Sequence, residues 1–431
     1  MEPIANTNHK IISFLKTDKL GDARVFQFNP FDSEFHADPY PTYHRLRSFE
    51  PVHRSFMGMW VLTRYTDVKA VLRDSRFCVK SLSTSLEQKS HHLEQGNFNG
   101  LIQASSKWLM FLNPPDHTKL RGLVSKAFSS ASGKRLRFQI QEVTDELISK
   151  IQKKGLMDII SDFACLLPVK VIAVILGVPV EDQFKLHGWA AELSHIIDAF
   201  RSLEDYEQMN KIALSFADYL RTLIAERQKR PQNDLLSALI AAKEQDAKLS
   251  EEEIVSVCMM LFLTGEESTI SFIGNAMLAL LRHPDQLQKL KQEPTLIQSA
   301  VEELLRYDSP VQQTIRVAIE NVDIGGKTIQ AGETVFAYLG SANRDPAQFP
   351  DPDRLDITRQ NNNHLAFADS IHYCLGATLA RLEAEIAINT LVQQLPDLKL
   401  TQEKLEWQKN MNLRSLKALH VTFTPHTTNG T

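Results

Sequence analysis

One cysteine of this sequence lies at the start of a predicted helix. Cys374 ends a loop at positions 367–374, and Leu375, Leu379 and Leu382 follow it at helical spacing. Unpaired backbone N–H groups and the helix dipole stabilise a thiolate at such a position, and a thiolate can ligate a metal. A lone cysteine, however, is more often an inert, buried side chain. Position alone therefore favours the inert interpretation and leaves the metal ligand open as the second.

A run of polar and small residues, TGEEST at 264–269, interrupts the most apolar helical segment of the chain. Burying carboxylates is costly unless they are paired or hydrated, and a glycine inside a helix costs ~1 kcal/mol relative to alanine. One interpretation is a helix break or a solvent-facing patch. The other, which we favour, is a helix locally opened beside a cofactor, with proton-carrying groups placed there.

The segment around this run predicts a long helix from about Glu251 to His283. Ser250 and Glu253 form a capping-box pattern at its start, and Pro284 follows its end. The middle of the segment is apolar on most faces, which is typical of a helix that crosses the core of a protein. We therefore expect this helix to carry the polar run into the interior.

The loop before Cys374 resembles the cysteine loop of the cytochrome P450 family, whose pattern is Phe-x-x-Gly-x-His-x-Cys-x-Gly. Ser370 replaces the glycine of this pattern, and Ala368 replaces another common glycine. The resemblance implies that Cys374 is the axial ligand of the iron in haem b. The positions that match are Phe367, His372, Cys374 and Gly376.

Further motifs of the same family follow one another in the expected order over roughly residues 25–425. Glu303 and Arg306 resemble the Glu-x-x-Arg of its K helix, where side chains at i and i+3 share a face and can pair. Arg354 resembles the third partner of this pair, which would lock the loop before the cysteine. The segment 343–346, NRDP, also fits the family.

The resemblance also assigns residues to the cofactor and to the chemistry. His117 and Arg121 would lie at i and i+4 on the C helix and would hold the haem propionates together with Arg316 and His372. Two buried carboxylates need several cationic or donor partners. Glu267 and Ser268 fall where the family places an acid–alcohol pair on its I helix, although the alcohol is usually threonine. The resemblance implies that they deliver protons during oxygen activation.

Composition narrows the class of protein. The 431 residues include 48 Lys and Arg against 52 Asp and Glu, so the net charge of −4 indicates no nucleic-acid partner. The first 20 residues contain no apolar run that resembles a signal peptide or a membrane anchor. The four cysteines are far apart, which favours neither a disulfide framework nor a CxxC metal site. A cytoplasmic protein is expected.

Helical periodicity dominates the chain, and no repeat or long linker divides it. We expect a mainly α protein with a small β-region, with the cytochrome P450 fold in a single domain. Its parts would be an N-terminal lead-in (1–25), the haem domain (26–425) and a C-terminal tail (426–431). Alternating, strand-like pieces occur at 59–64, 317–329, 334–338 and 420–423.

The resemblance implies a soluble, bacterial-type haem-thiolate monooxygenase. It would take two electrons from ferredoxin and ferredoxin reductase, or from flavodoxin, and insert one atom of O₂ into a small lipophilic substrate of secondary metabolism. One alternative is a peroxygenase that uses peroxide directly, but such relatives tend to lose the acid–alcohol pair. Another is a non-catalytic haem sensor, which usually carries an output domain, and none is evident in this sequence.

Overall fold

Helices form most of the chain in the computed structural model, which describes residues 28–425 except 93–97, 132–133, 198–201, 245–246 and 402–403. The expected lead-in and tail lie outside the described residues. The helices are α1 (Ser33–Ala37), α2 (Tyr40–Phe49), α3 (Tyr65–Arg73), α4 (Leu82–His92), α5 (Asn99–Ser105), α6 (Asp116–Ala131), α7 (Lys134–Ile151), α8 (Leu166–Leu176), α9 (Gln183–Ser194), α10 (Leu203–Lys229), α11 (Leu235–Ala241), α12 (Glu251–Arg282), α13 (Pro284–Gln292), α14 (Ile297–Tyr307), α15 (Leu339–Ala342) and α16 (Ala377–Gln394).

The strands are short and form a small β-region, as the sequence predicts. They are β1 (Val52–Arg54), β2 (Trp60–Leu62), β3 (Phe77–Cys78), β4 (Leu156–Asp158), β5 (Lys243–Glu244), β6 (Ala247–Lys248), β7 (Thr314–Ala318), β8 (Val322–Ile324), β9 (Lys327–Ile329), β10 (Thr334–Ala337), β11 (Lys399–Leu400) and β12 (His420–Thr422). The largest sheet has the order β1-β2-β10-β7-β3, and a second has the order β11-β12-β4. Strand β10 is parallel to β2 and antiparallel to β7, with Val335 opposite Arg316.

Helix α12 confirms the predicted core helix. It ends one residue earlier than predicted, at Arg282, and begins with the capping box of Ser250 and Glu253. It is long and apolar enough to cross a membrane, yet 78% of its most apolar stretch is buried inside the protein. Helices α8, α9, α10 and α16 pack against it. The helix is continuous through 264–269, so the predicted local opening is absent.

The end of helix α14 carries a completely buried ion pair. Arg306 donates from Nε to Glu303 Oε2 at 2.7 Å and from Nη2 to Glu303 Oε1 at 2.8 Å, and neither side chain has exposed surface. Arg306 Nη1 also donates to the carbonyls of Asn343 and Pro352, at 2.9 and 2.8 Å. The pair therefore ties α14 to two later segments of the chain, both of which precede the cysteine loop.

The third partner of this pair is Arg359, and the prediction of Arg354 is wrong. Arg359 Nε lies 3.0 Å from Glu303 Oε2 and 3.1 Å from Oε1. Arg354 is exposed and contributes its backbone carbonyl, which accepts from Arg306 at 3.3 Å. The physical reason is the turn between the two arginines. It points the carbonyl of Arg354 toward the pair and its side chain toward solvent, and it brings the side chain of Arg359 back to Glu303.

We predict that Glu303→Ala destabilises the fold severely, because Arg306 and Arg359 would keep their charges in a buried environment without the carboxylate. Breaking a buried pair costs ~3–5 kcal/mol, out of a typical total stability of ~5–15 kcal/mol. The measurement is the free energy of unfolding from a denaturant titration. The matched control is Glu293→Ala, which removes an exposed carboxylate. Equal midpoints for the two variants would contradict a structural role for the pair.

Candidate active site

Cys374 ends a closed loop. Its backbone N–H donates to the carbonyl of Phe367 at 3.0 Å, and a single 3₁₀ turn at Ser370–His372 leads to it. Gly376 is the N-cap of helix α16. The loop therefore delivers the cysteine to the start of a helix, as the sequence predicts.

Three arginines from other elements fix this loop. Arg73 of α3 donates to the carboxylate of Asp369 at 2.9 Å. Arg121 of α6 donates to the carbonyl of Tyr373, and Arg381 of α16 lies 3.0 Å from the hydroxyl of Tyr373. The segment that carries Cys374 is thus held on both sides by charged donors.

Two residues of the loop adopt a glycine-like backbone without being glycine. Ala368 has a φ of 59° and Ser370 a φ of 62°, which is the left-handed region that L-residues enter at a cost of order 1–3 kcal/mol each. These are the two positions of the loop at which the sequence analysis found another residue in place of a glycine. The surrounding contacts therefore impose the loop geometry in place of the residue type.

Cys374 is an exposed residue of the loop, although the protein packed around its thiol raises the pKa of that thiol. The backbone N–H of Gly376 and the positive charges of Arg121 and Arg381 oppose this shift. The helix start is thus not sufficient to yield the predicted thiolate, and a bound metal ion would favour the deprotonated form.

The four residues predicted to bind propionates come together, and we call them the donor group (His117, Arg121, Arg316 and His372). The ring centroids of His117 and His372 are 4.5 Å apart. Burial, together with the positive charges of Arg316, His117 and Arg121, lowers the pKa of His372 to about 3. Burial likewise lowers the pKa of Arg316 to about 10. Helix α6, strand β7 and the cysteine loop therefore converge on one electropositive point.

The donor group fits a cofactor that carries carboxylates. Both ring nitrogens of the buried His117 lack a hydrogen-bond partner among the described residues. Arg316, also buried, makes its hydrogen bonds to a hydroxyl and a carbonyl of its own strand. Within the described part of the chain, the ionisable groups that act on the donor group are its own members and the thiols of Cys374 and Cys78, and no carboxylate is among them. Haem propionates would supply the acceptors and the negative charge that these side chains require.

The predicted acid–alcohol pair lies in the middle of α12 and contacts α9. Ser194 Oγ lies 3.0 Å from Glu267 Oε1 and 2.8 Å from the carbonyl of Ala191, so its proton is shared between two acceptors. Ser268 is half-buried, and its hydroxyl lies 3.3 Å from the carbonyl of Thr264, one turn earlier. The hydroxyl of Ser268 must therefore rotate away from this carbonyl before it can reach a substrate-side acceptor.

Glu266, which the sequence analysis did not single out, is buried and pairs with His187 of α9. The distance from His187 Nδ1 to Glu266 Oε2 is 3.0 Å. Burial raises the pKa of Glu266, and the hydrogen bond from His187 opposes this shift. The cost of burying two adjacent carboxylates inside an apolar helix was visible in the sequence, but the partners lie about 75 residues away along the chain. Periodicity alone could not identify them.

Comparison with known proteins places this geometry in one family. The family model of cytochrome P450 matches residues 40–418. The biotin biosynthesis cytochrome P450 of Bacillus subtilis (strain 168) is 43% identical over 394 residues, which cover 91% of this chain and 98% of the relative. The polyketide biosynthesis cytochrome P450 PksS of the same strain is 37% identical over 406 residues, with 92% and 98% covered.

Solved structures give the same result. The crystal structure of P450BioI in complex with acyl carrier protein ligated to hexadec-9Z-enoic acid has a TM-score of 0.83 and 42% sequence identity. It matches over 91% of this chain and 99% of that chain. The crystal structure of CalO2 has a TM-score of 0.87 at 33% identity, with 93% and 100% covered.

We predict that Arg316→Gln weakens haem binding. A hydrogen bond to a charged group contributes about 1.5–3 kcal/mol, so the dissociation constant of haem should rise roughly 10- to 150-fold. The measurement is transfer of haem to excess apomyoglobin. The matched control is Arg282→Gln, which removes an exposed arginine at the end of α12. Equal haem transfer from both variants would show that Arg316 does not hold the cofactor.

Proposed function

Because the chain belongs to the cytochrome P450 family, a family of haem-dependent monooxygenases, we propose that it inserts one oxygen atom from O₂ into a small lipophilic substrate of a biosynthetic pathway. The observation that carries the proposal is the donor group, in which His117 and Arg316 are buried, beside the loop that carries Cys374. Haem b, when bound there, would supply the reductive activation of O₂ at its iron. A cytoplasmic location is part of the proposal.

In this proposal, Cys374 ligates the iron, and the donor group binds the two propionates. The neutral rings of His117 and His372 would donate hydrogen bonds, while Arg121 and Arg316 would provide the positive charge. Because these side chains are already fixed by packing, the protein would not have to reorganise to accept the negative groups. The loop contacts of Arg73 and Arg121 would keep the sulfur in position.

Glu267 and Ser268 are proposed to move protons to the distal side. The half-buried carboxyl of Glu267 can exchange protons with solvent, and the Ser268 hydroxyl can donate to and orient an oxygen or a water molecule beside it. A serine hydroxyl rotates more freely than the usual threonine hydroxyl, because threonine is β-branched and stiff at χ1. We therefore expect more loss of electrons to hydrogen peroxide than in relatives with threonine.

An acyl or polyketide-like chain is the substrate class that we propose. The B. subtilis relatives are named for biotin and polyketide biosynthesis, and P450BioI was crystallised with an acyl chain on its carrier protein. Met110 and Ile315 keep about two fifths of their apolar side chains accessible. Gln313 is buried, and its Oε1 lacks a partner among the described residues. We propose that these side chains line the substrate site, where they would suit a long apolar chain that bears a hydrogen-bond donor.

A ferredoxin-type partner is proposed to deliver the electrons, with flavodoxin as the other candidate carrier. Lys119 and Lys126 are exposed on α6, the helix that also carries the donor-group residues His117 and Arg121. Exposed positive charges accelerate association with an acidic partner. The proposed docking face is therefore the α6 side of the cysteine loop.

We predict that wild-type protein, given ferredoxin, ferredoxin reductase and NAD(P)H, oxidises hexadec-9Z-enoic acid, presented free or on acyl carrier protein. Glu267→Gln should slow oxygen consumption by ~10²-fold, because a positioned proton donor contributes at least this much. Ser268→Ala should keep NAD(P)H consumption but divert electrons to hydrogen peroxide. Product, NAD(P)H and hydrogen peroxide are measured in the same reaction.

The matched control for these variants is Ser271→Ala, whose hydroxyl donates to the Glu267 carbonyl on the same helix. It should retain the wild-type ratio of product to NAD(P)H. Equal product from hydrogen peroxide alone would support a peroxygenase instead. Haem-loaded protein that turns over neither this acid nor a library of acyl and polyketide compounds, with either oxidant, would support a sensor.

A further inference from the structure

Helix α9 is tied to α12 at the two carboxylates in the middle of the core helix. His187 contacts Glu266 and Ser194 contacts Glu267, each at 3.0 Å. The two α9 residues are about two helical turns apart, whereas the two glutamates are adjacent. One polar clasp thus spans most of the length of α9 and ends on the proposed proton donor. We call it the α9 clasp (His187–Glu266 and Ser194–Glu267).

The two halves of the clasp differ in burial. Glu266 has a side chain that is 1% exposed, whereas that of His187 is 28% exposed. Removing one partner of a buried charged pair destabilises a protein by more than the pair stabilises it, because the remaining charge stays buried without a partner. Separation of α9 from α12 therefore requires Glu266 to be rehydrated or protonated. The His187–Glu266 contact is the half that resists opening.

We propose that His187 and Ser194 are positioning residues for oxygen activation, which hold α9 closed over α12 and thereby fix the Glu267 carboxyl for proton transfer. Ser194 acts on Glu267 directly, and His187 acts on it by keeping α9 in place. If α9 moved away from α12, it would uncover the middle of α12 and would at the same time free the Glu267 carboxyl from Ser194. Proton delivery is then confined to the closed enzyme. This inference rests on the proposed monooxygenase function.

The clasp also has a defined pH dependence. The hydrogen bond that His187 donates to Glu266 raises the pKa of His187, and burial opposes this shift. The other ionisable groups that act on the pair are Glu267, on the same helix, and the thiol of Cys165, at the start of α8. Because the folded pKa of His187 is raised, its contribution is full below its ordinary pKa near 6.5 and is lost as the pH rises through the raised value. The clasp should loosen on the alkaline side.

The closing experiment follows α9 by amide hydrogen exchange of haem-loaded protein and follows catalysis by product formed per NAD(P)H. His187→Gln should increase exchange in 183–194 and abolish its rise with pH, measured relative to the intrinsic exchange rate. Ser194→Ala should leave exchange unchanged but lower product per NAD(P)H several-fold, with a matching rise in hydrogen peroxide. Ser194→Thr should restore the ratio because it keeps the hydroxyl. Glu266→Gln is a second variant that tests the contact between His187 and Glu266. It should disturb folding less than His187→Gln, because it leaves no buried charge.

The matched control is Glu192→Gln, an exposed carboxylate on the opposite side of α9. If wild type forms product and the clasp variants match this control in both readouts, the inference is overturned and the proposed function stands. If wild type forms no product with ferredoxin, the proposed function fails and the inference fails with it. A Ser194→Thr variant that behaves like Ser194→Ala would also overturn the role of the hydroxyl.

Discussion

The Glu303–Arg306 ion pair fixes the segment that leads to the cysteine. Its charges are completely buried, so every remaining donor and acceptor must find a partner, and these partners come from 343–362. The neighbouring Glu302 extends the same link to α16. Although burial acts to raise it, hydrogen bonds from His364 and Arg381 lower the pKa of Glu302 to about 2. Helix α14 therefore sets the position of both the loop before Cys374 and the helix after it.

The site itself is built with unbalanced charge. His117, Arg121, Arg316 and His372 converge with no carboxylate of the described chain among the groups that act on them. Burial holds the Cys374 pKa above its ordinary value, so the protein alone disfavours a thiolate. A bound metal ion would stabilise the thiolate of Cys374, and two carboxylates would neutralise the positive charge of the donor group. The ion pair of Glu303 stabilises the fold at a distance from the donor group. The fold can therefore tolerate uncompensated positive charge where the cofactor would bind.

The sequence predicts the mainly α fold, the long core helix and the residues that come together in the donor group, while the binding of haem by these residues stays a prediction. The capping box at Ser250 and the apolar periodicity locate α12 to within one residue, because both are local signals. Arg359 escaped prediction because a turn, not a helical spacing, brings it to Glu303. The left-handed backbone at Ala368 and Ser370 also escaped, since neither residue type favours it and only tertiary contacts impose it. The α9 clasp joins residues far apart in sequence, which no periodicity can pair.

The central claim, that Cys374 ligates haem iron, is tested most directly by the absorption spectrum of the reduced carbon monoxide complex. The wild-type protein should show the red-shifted Soret band of a thiolate ligand, and Cys374→Ala should lose it. Cys78→Ala, which removes a half-buried thiol on β3, should retain it. A thiolate-type band that persists in Cys374→Ala would contradict the account, because another cysteine would then be the ligand.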